Sequence, residues 1–295
     1  MIGEKFMDNI ERLRKRIDAI IGERPSHKEI LEFLKEVMIE QYKIRPKVKT
    51  VPMKIGEEKM KALMDGFSLL GRRDLNLDTA SVTRLFERLC KVLSRSKKAS
   101  QDAKRINQAL RSKDIDLVEL IKHVSAEKGE YLSALSKRLE VKEDLLSFLV
   151  ANSIKPILEA YAHELKGNVD RETWWRGYCP ICGSLPFLAE LREDGERFLV
   201  CSLCGFEWRF MRLKCPFCET EDYKELRYLY AEGEGKAHRV DVCEKCKRYI
   251  KTVDTREMAG EVIPIVEDMG TLYLDVLAQK EGYMRGGITY GGLIS

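Results

Sequence analysis

The chain has 295 residues, 44% hydrophobic and 34% charged, with a formal net charge of +4. That is apolar material enough for buried cores in about two domains and excludes a wholly disordered polypeptide. No apolar run reaches the roughly 18–20 residues needed to cross a bilayer, and the N-terminus lacks an apolar signal core, so no secretory segment is expected.

Residues 1–170 hold 34 Lys/Arg against 27 Asp/Glu, and residues 171–295 hold 18 against 21. This split and a change of pattern predict a helical domain over 1–170 and a second domain over 171–295. A Ser-x-x-Glu capping box at Ser26–Glu29 opens a helix carrying Ile30, Leu31, Leu34, Val37 and Met38 at helical spacing. Arg45-Pro46 stops it, and Pro52 keeps the connection irregular. Met60, Leu63, Met64, Phe67 and Leu70 form a second stripe, with Gly71 at the expected C-cap. Val82, Leu85, Phe86, Leu89 and Leu93 form a third. A long segment then carries Leu146, Leu149, Val150, Ile157, Leu158, Tyr161 and Leu165, kinked or divided at Pro156 and ended by Gly167-Asn168.

After Asp170 short alternating runs replace the helical stripes. Phe198–Val200 leads into Cys201. Phe206, Trp208 and Phe210 alternate with polar neighbours, as do Leu226, Tyr228 and Tyr230. Val240, Val242 and the run Tyr249–Val253 predict two more strands. A final helix is predicted from Val266 to about Lys280, with Leu272, Val276 and Leu277 on one face. The Gly-rich tail reads as irregular.

Eight of the nine cysteines fall in four CxxC pairs, namely Cys179/Cys182, Cys201/Cys204, Cys215/Cys218 and Cys243/Cys246. Without a signal segment, such pairs read as metal ligands and not as a disulfide framework. A CxxC turn sets two sulfurs on one side of a tight loop, where backbone N–H groups steady the thiolates, and two turns complete a tetrahedral S₄ site. The simplest partition is sequential. Cys179, Cys182, Cys201 and Cys204 make one site, and Cys215, Cys218, Cys243 and Cys246 the other. Pairing first with third and second with fourth is the alternative. Gly183 and Gly205 follow two of the turns and supply positive φ freely, whereas Glu219 and Lys247 occupy the same place in the others. S₄ donors suit zinc or a single rubredoxin-like iron.

The remaining features read more plainly. Residues 84–113 carry ten basic side chains, among them Arg84, Arg88, Arg95, Lys97, Lys98, Lys104, Arg105 and Lys113, against Glu87 and Asp102. The stretch is either a solvated helical face or a nucleic-acid surface. His27 reads as solvated, His123 and His163 as structural, and His238 as a strand residue near Cys243. Cys90 reads as a small core residue. Trp174 and Trp175 read as packing the domain junction. There is no nucleophile elbow, Walker loop or dinucleotide-binding glycine motif, and Cys₄ coordination leaves no open position for a substrate. The chain reads as no enzyme.

Several ordered segments resemble one family. They are RGYCPICGSLP at 176–186, CSLCGFEW at 201–208, RLKCPFC at 212–218, CEKCKRYIK at 243–251 and LDVLAQKEGY at 274–283. Together they resemble the formate dehydrogenase accessory proteins, FdhE. The resemblance implies an α+β fold, with an all-helical N-terminal domain followed by two tandem rubredoxin-like or zinc-ribbon Cys₄ modules and a C-terminal helix. It implies a cytoplasmic, chaperone-like maturation factor that binds the catalytic subunit of a molybdenum- or tungsten-dependent formate dehydrogenase or related enzyme. It implies two metal ions per chain, iron or zinc, with all eight paired cysteines as ligands. A nucleic-acid-binding zinc ribbon and a rubredoxin-like electron carrier are the alternatives; nucleic acid and membrane insertion are not expected.

Overall fold

The computed structural model describes residues 2–71, 77–96, 99–125, 129–170, 173–258 and 260–287. Lys97, Lys98 and the tail beyond 287 lie outside them, as does the side chain of His123.

Eight α-helices come first among the described residues: α1 (Ile2–Glu23), α2 (Lys28–Ile44), α3 (Glu57–Met64), α4 (Thr79–Leu93), α5 (Ser100–Arg111), α6 (Leu117–Ser125), α7 (Gly129–Leu139) and α8 (Glu143–Leu165). The α4 stripe is wholly buried, and Asp78 caps the helix by accepting from the Ser81 N–H at 3.2 Å. Two expected helix boundaries move. Pro25–His27 form a 3₁₀ turn, so α2 starts at Lys28 with no side-chain cap and the Ser26–Glu29 box does not form. The second stripe stops at Met64, where Gly66 adopts φ +95°. Met64 (83%) and Phe67 are therefore exposed, while Leu70 turns inward.

Pro156 neither divides nor ends α8, which runs unbroken through it. A proline has no N–H for the carbonyl four residues earlier, here that of Asn152. Gln41 of α2 supplies the missing donor: its buried Nε2 lies 3.0 Å from Asn152 O and 3.1 Å from Asn152 Oδ1.

The second half forms one seven-stranded sheet. Its strands are β1 (Pro186–Arg192), β2 (Glu196–Cys201), β3 (Glu207–Phe210), β4 (Leu226–Leu229), β5 (His238–Cys243), β6 (Arg248–Asp254) and β7 (Met284–Arg285). The order is β3-β2-β1-β6-β5-β4, with β7 on β6. β1–β3 and β4–β6 are antiparallel units. The parallel pair β1/β6, with Leu188 opposite Lys251 and Glu190 opposite Val253, fuses them. The two modules thus share one continuous sheet.

The predicted last helix is two, α9 (Pro264–Gly270) and α10 (Leu272–Lys280), broken at Thr271. Gly270 meets α1 closely, since a Cβ there would lie 2.9 Å from Ile20 Cδ1. The buried face of α10 is Leu274, Asp275 and Ala278, and Val276 points outward. Asp275 faces inward because Lys251, 1% exposed in β6, reaches Asp275 Oδ2 at 2.6 Å and Asp268 Oδ1 at 2.8 Å. Arg285 pairs with both carboxylates, and Tyr249 donates to Asp275 at 2.7 Å. Burial alone would raise the Asp268 carboxyl; Lys251 and Arg285 outweigh it and hold it below its ordinary value.

Secondary structure changes near residue 170, but the core does not break there. One apolar cluster runs from α2, α4 and α8 into Trp174, Ile181, Leu199, Phe206 and Trp208. A second joins α1 and α2 to Phe187, Leu188, Val200, Val253 and α9.

Replacing Gln41 with Met strands the buried Asn152 carbonyl and should cost about 1–3 kcal/mol in urea unfolding. Adding Pro156→Ala restores a backbone donor and should recover much of the loss. Equal destabilisation in the single and double variants would contradict the substitution of one donor for the other.

Candidate metal centres

Each cysteine pair closes one tight turn. In the first three, the N–H of the leading cysteine bonds to the carbonyl five residues on (Cys179 to Ser184, Cys201 to Phe206, Cys215 to Thr220), each at 2.9 Å. In the fourth, Cys243 faces Arg248 across β5/β6, the same spacing. The residue after the second cysteine is left-handed in all four, with φ +73° at Gly183, +67° at Gly205, +56° at Glu219 and +54° at Lys247. Backbone N–H groups do turn toward sulfur: Leu203 and Cys204 approach Cys201 Sγ at 3.4 and 3.5 Å, and Phe217 approaches Cys215 Sγ at 3.4 Å.

The turns assemble sequentially. Cys179, Cys182, Cys201 and Cys204 form one group, and Cys215, Cys218, Cys243 and Cys246 the other; within each, all four sulfurs lie within 4.8 Å of one another. The shorter separations are 3.4–3.6 Å in the first group and 3.7 Å in the second. Four sulfurs placed tetrahedrally around a zinc at ~2.3 Å stand about 3.8 Å apart, so each group could hold one metal ion. The electrostatics agree. Burial pushes the Cys179, Cys204 and Cys215 thiols upward, and Cys246 to about 11, whereas hydrogen bonds from the neighbouring thiols hold Cys182 well below its ordinary value, and Cys218 is also lowered. Four thiolates in such a space need a cation among them.

The two groups have different surroundings. The first lies inside the main core, with Cys179, Cys201 and Cys204 buried. Trp208 is fully buried and donates to Arg176 O at 3.0 Å, and buried Trp174 donates to Tyr178 O at 2.8 Å. Trp174 thus packs the junction as expected; Trp175 lies under Arg209, 5.6 Å from its ring. The helical half reaches the first turn directly. Leu69 and Leu70 N–H bond to Pro180 and Ile181 O at 2.9 and 2.7 Å, and Tyr178 OH donates to Gly66 O. Lys155 of α8 stands beside this group. Burial lowers its pKa to about 8, while Glu159, Cys201 and Cys204 pull the other way. None of these helical contacts carries a local sequence signal, because each depends on how the halves dock. In the second group Cys218 and Cys246 are half-exposed. Gly177 ties the two groups together, since any Cβ there would strike Pro216 O at 1.8 Å.

The other expected residues fall elsewhere. His238 lies in β5, with Nε2 3.0 Å from the buried Glu267, which Arg16 also holds at 2.5 Å; it joins neither cysteine group. His27 is half-buried, not solvated, and burial lowers its pKa. His163 is exposed. Cys90 is buried in the α4 core, which raises its thiol to about 12 and argues against a nucleophile. In the basic stretch Arg88 and Arg95 pair with Glu40 and Glu36 of α2, and Arg105 with Glu140 in the turn after α7. No helix among the described residues is long and apolar enough to cross a membrane.

A helical half docked on a fused pair of Cys₄ modules is the class this architecture defines. The family profile "FdhE, central domain" matches residues 178–212, and "FdhE, C-terminal domain" matches 213–290. The FdhE homologue of Aquifex aeolicus is 34% identical over 174 residues, 57% of this chain and 60% of that protein. That of Stutzerimonas stutzeri is 38% identical over 111 residues, 36% of this chain and 35% of that protein. The matched part is thus about 60% or less of these relatives' length. The crystal structure of the FdhE protein from Pseudomonas aeruginosa superimposes with a TM-score of 0.67 at 21% identity, covering 95% of this chain and 94% of that one. Residues 178–290 thus match the FdhE family, and the fold of the whole chain is that of the FdhE crystal structure.

Lys247 sits exposed in the left-handed region at a cost of roughly 1–2 kcal/mol. Lys247→Gly should raise the thermal midpoint by a few degrees despite losing its contact with Glu244, and Lys247→Val should lower it. Metal analysis of both variants checks that the turn survives; a lower midpoint for the glycine variant would contradict the strain.

Proposed function

We propose that the protein is a cytoplasmic accessory factor. It binds the catalytic subunit of a molybdenum- or tungsten-dependent formate dehydrogenase, or a related enzyme, during assembly. Each Cys₄ group holds one ion, iron or zinc, and all eight paired cysteines are ligands. The similarity of residues 178–290 to FdhE proteins supports the link to formate dehydrogenase. The closure of both donor sets carries the non-catalytic reading. Four sulfurs satisfy a tetrahedral ion and leave no position for a substrate, so the metal supplies folding energy and rigidity. The helical domain of 1–170 and the metal-binding domain of 171–295 then act as one docking body, because two apolar clusters join them.

The half-exposed Cys218 and Cys246 favour a second reading, a rubredoxin-like electron carrier at the second group. That reading requires iron, visible absorbance and reversible reduction, and a colourless zinc protein excludes it.

Tagged protein, isolated from its host after nuclease treatment, should co-purify with a molybdenum or tungsten oxidoreductase subunit. Recovery of ribosomal or transcription components instead would overturn the accessory reading. The ligand assignment has its own check. Metal analysis should find two ions per chain, and one after Cys243→Ser. Cys201→Ser should lose its ion and also destabilise the helical half, since its group lies in the shared core. Unchanged stoichiometry in either variant would refute the assignment.

A further inference from the structure

Beside the second cysteine group a cleft of about 160 Å³ opens on the face of the sheet, with no role in the reading above. Its walls carry Arg197, Arg212, Lys214, Arg227, Arg239 and Arg248, against Asp241 as the lining carboxylate. We propose that this cleft binds one oxyanion, a carboxylate or phosphate group, on the guanidinium of Arg197.

Arg197 is the reason. It is 3% exposed at the start of β2, where an arginine is seldom buried without full pairing. Its Nη1 donates to Lys214 O at 3.1 Å, but Nε and Nη2 make no hydrogen bond. The neighbouring carboxylate is already shared. Asp241 Oδ1 accepts from Arg239 Nε at 2.8 Å, and Oδ2 accepts from Thr252 Oγ1 at 2.9 Å, leaving a charge contact of 3.2 Å with Arg197 Nη2. Two guanidinium groups therefore meet one carboxylate: Nη2 is held by that charge contact alone, and Nε is left without an acceptor, which is costly when buried.

The cysteine group alone does not complete the site. Its thiolates lend long-range attraction through Cys215, yet no sulfur accepts from Nε or Nη2. Of the outer cations, Lys214 pairs with Glu221 and Arg227 with Glu244. Arg212 and Arg248 have no such carboxylate among the described residues and stand ready at the rim. A planar guanidinium with Nε unmatched and Nη2 held only through a shared carboxylate suits the oxygens of a carboxylate or phosphate. The volume lies below the roughly 300 Å³ at which sites for drug-sized ligands begin, so the occupant is a free small anion or one acidic side chain of a bound polypeptide. Leu213 (66% exposed) and Tyr228 (61%) at the rim would take flanking apolar groups in the latter case.

The proposal stands apart from the accessory-factor reading and is tested on the metal-loaded full chain, without a partner. Inorganic phosphate and an acetylated, amidated tetraglutamate are titrated by calorimetry against sodium chloride of equal ionic strength. Saturable binding of either, weakened at least about tenfold in Arg197→Met, is the expected result. Tighter phosphate binding identifies a free anion as the source; tighter peptide binding identifies an acidic segment. Arg212→Ala combined with Arg248→Ala should weaken binding several-fold without changing metal content, and it decides the matter if Arg197→Met fails to fold. No response beyond that of chloride, or binding undiminished in the folded variants, would overturn the proposal.

Discussion

Drawing four sulfurs into a buried space less than 5 Å across is the constraint on which the second half of this protein depends. Burial makes most of these thiols resist ionisation, neighbouring thiols favour the thiolate at Cys182, and thiolates so placed repel one another unless a cation sits among them. Everything local serves that arrangement. The same hydrogen-bond spacing recurs in all four turns, and the residue after each is left-handed even where it is Glu219 or Lys247. Two non-glycine residues kept at a strained φ show that turn geometry outranks backbone preference here.

From those turns the architecture spreads outward. Each group crosses between a hairpin and its neighbouring turn, so each organises three short strands. The parallel β1/β6 pair then makes one sheet of the two units, and Gly177 against Pro216 brings their turns into contact. The first group is enclosed by α8, by the segment at Leu69–Leu70 and by two tryptophans, whereas the second faces a basic cleft. The same chemistry thus sits in two settings. One anchors the helical half, and the other is left near the surface, where an outside group can reach it.

What the sequence made legible follows the range of the forces involved. The cysteine groups were readable, down to their sequential pairing, because ligation demands a fixed local spacing. The α4 and α8 stripes were readable because burial follows helical period. β1 was not read at all. It lies at the centre of the sheet, and PFLAELR mixes charge with apolar residues because Glu190 and Arg192 pair with each other. The face of α10 was misread for a like reason: Asp275 turns inward only because Lys251 and Arg285 await it from distant positions. Pro156 suggested a break that Gln41, over a hundred residues earlier, removes. The basic stretch suggested a free surface, although carboxylates on other helices partner part of it. At α8, at α10 and in the basic stretch the miss is a long-range polar contact that local pattern does not encode.

The central claim is that both groups are closed, four-sulfur sites whose work is to hold shape. X-ray absorption at the edge of whichever metal the purified chain contains tests it most directly. The account predicts a shell of four sulfurs, at about 2.3 Å if the metal is zinc, with no nitrogen or oxygen ligand. A shell with fewer sulfurs completed by oxygen or nitrogen would contradict it, for it would reveal an open position where chemistry can occur.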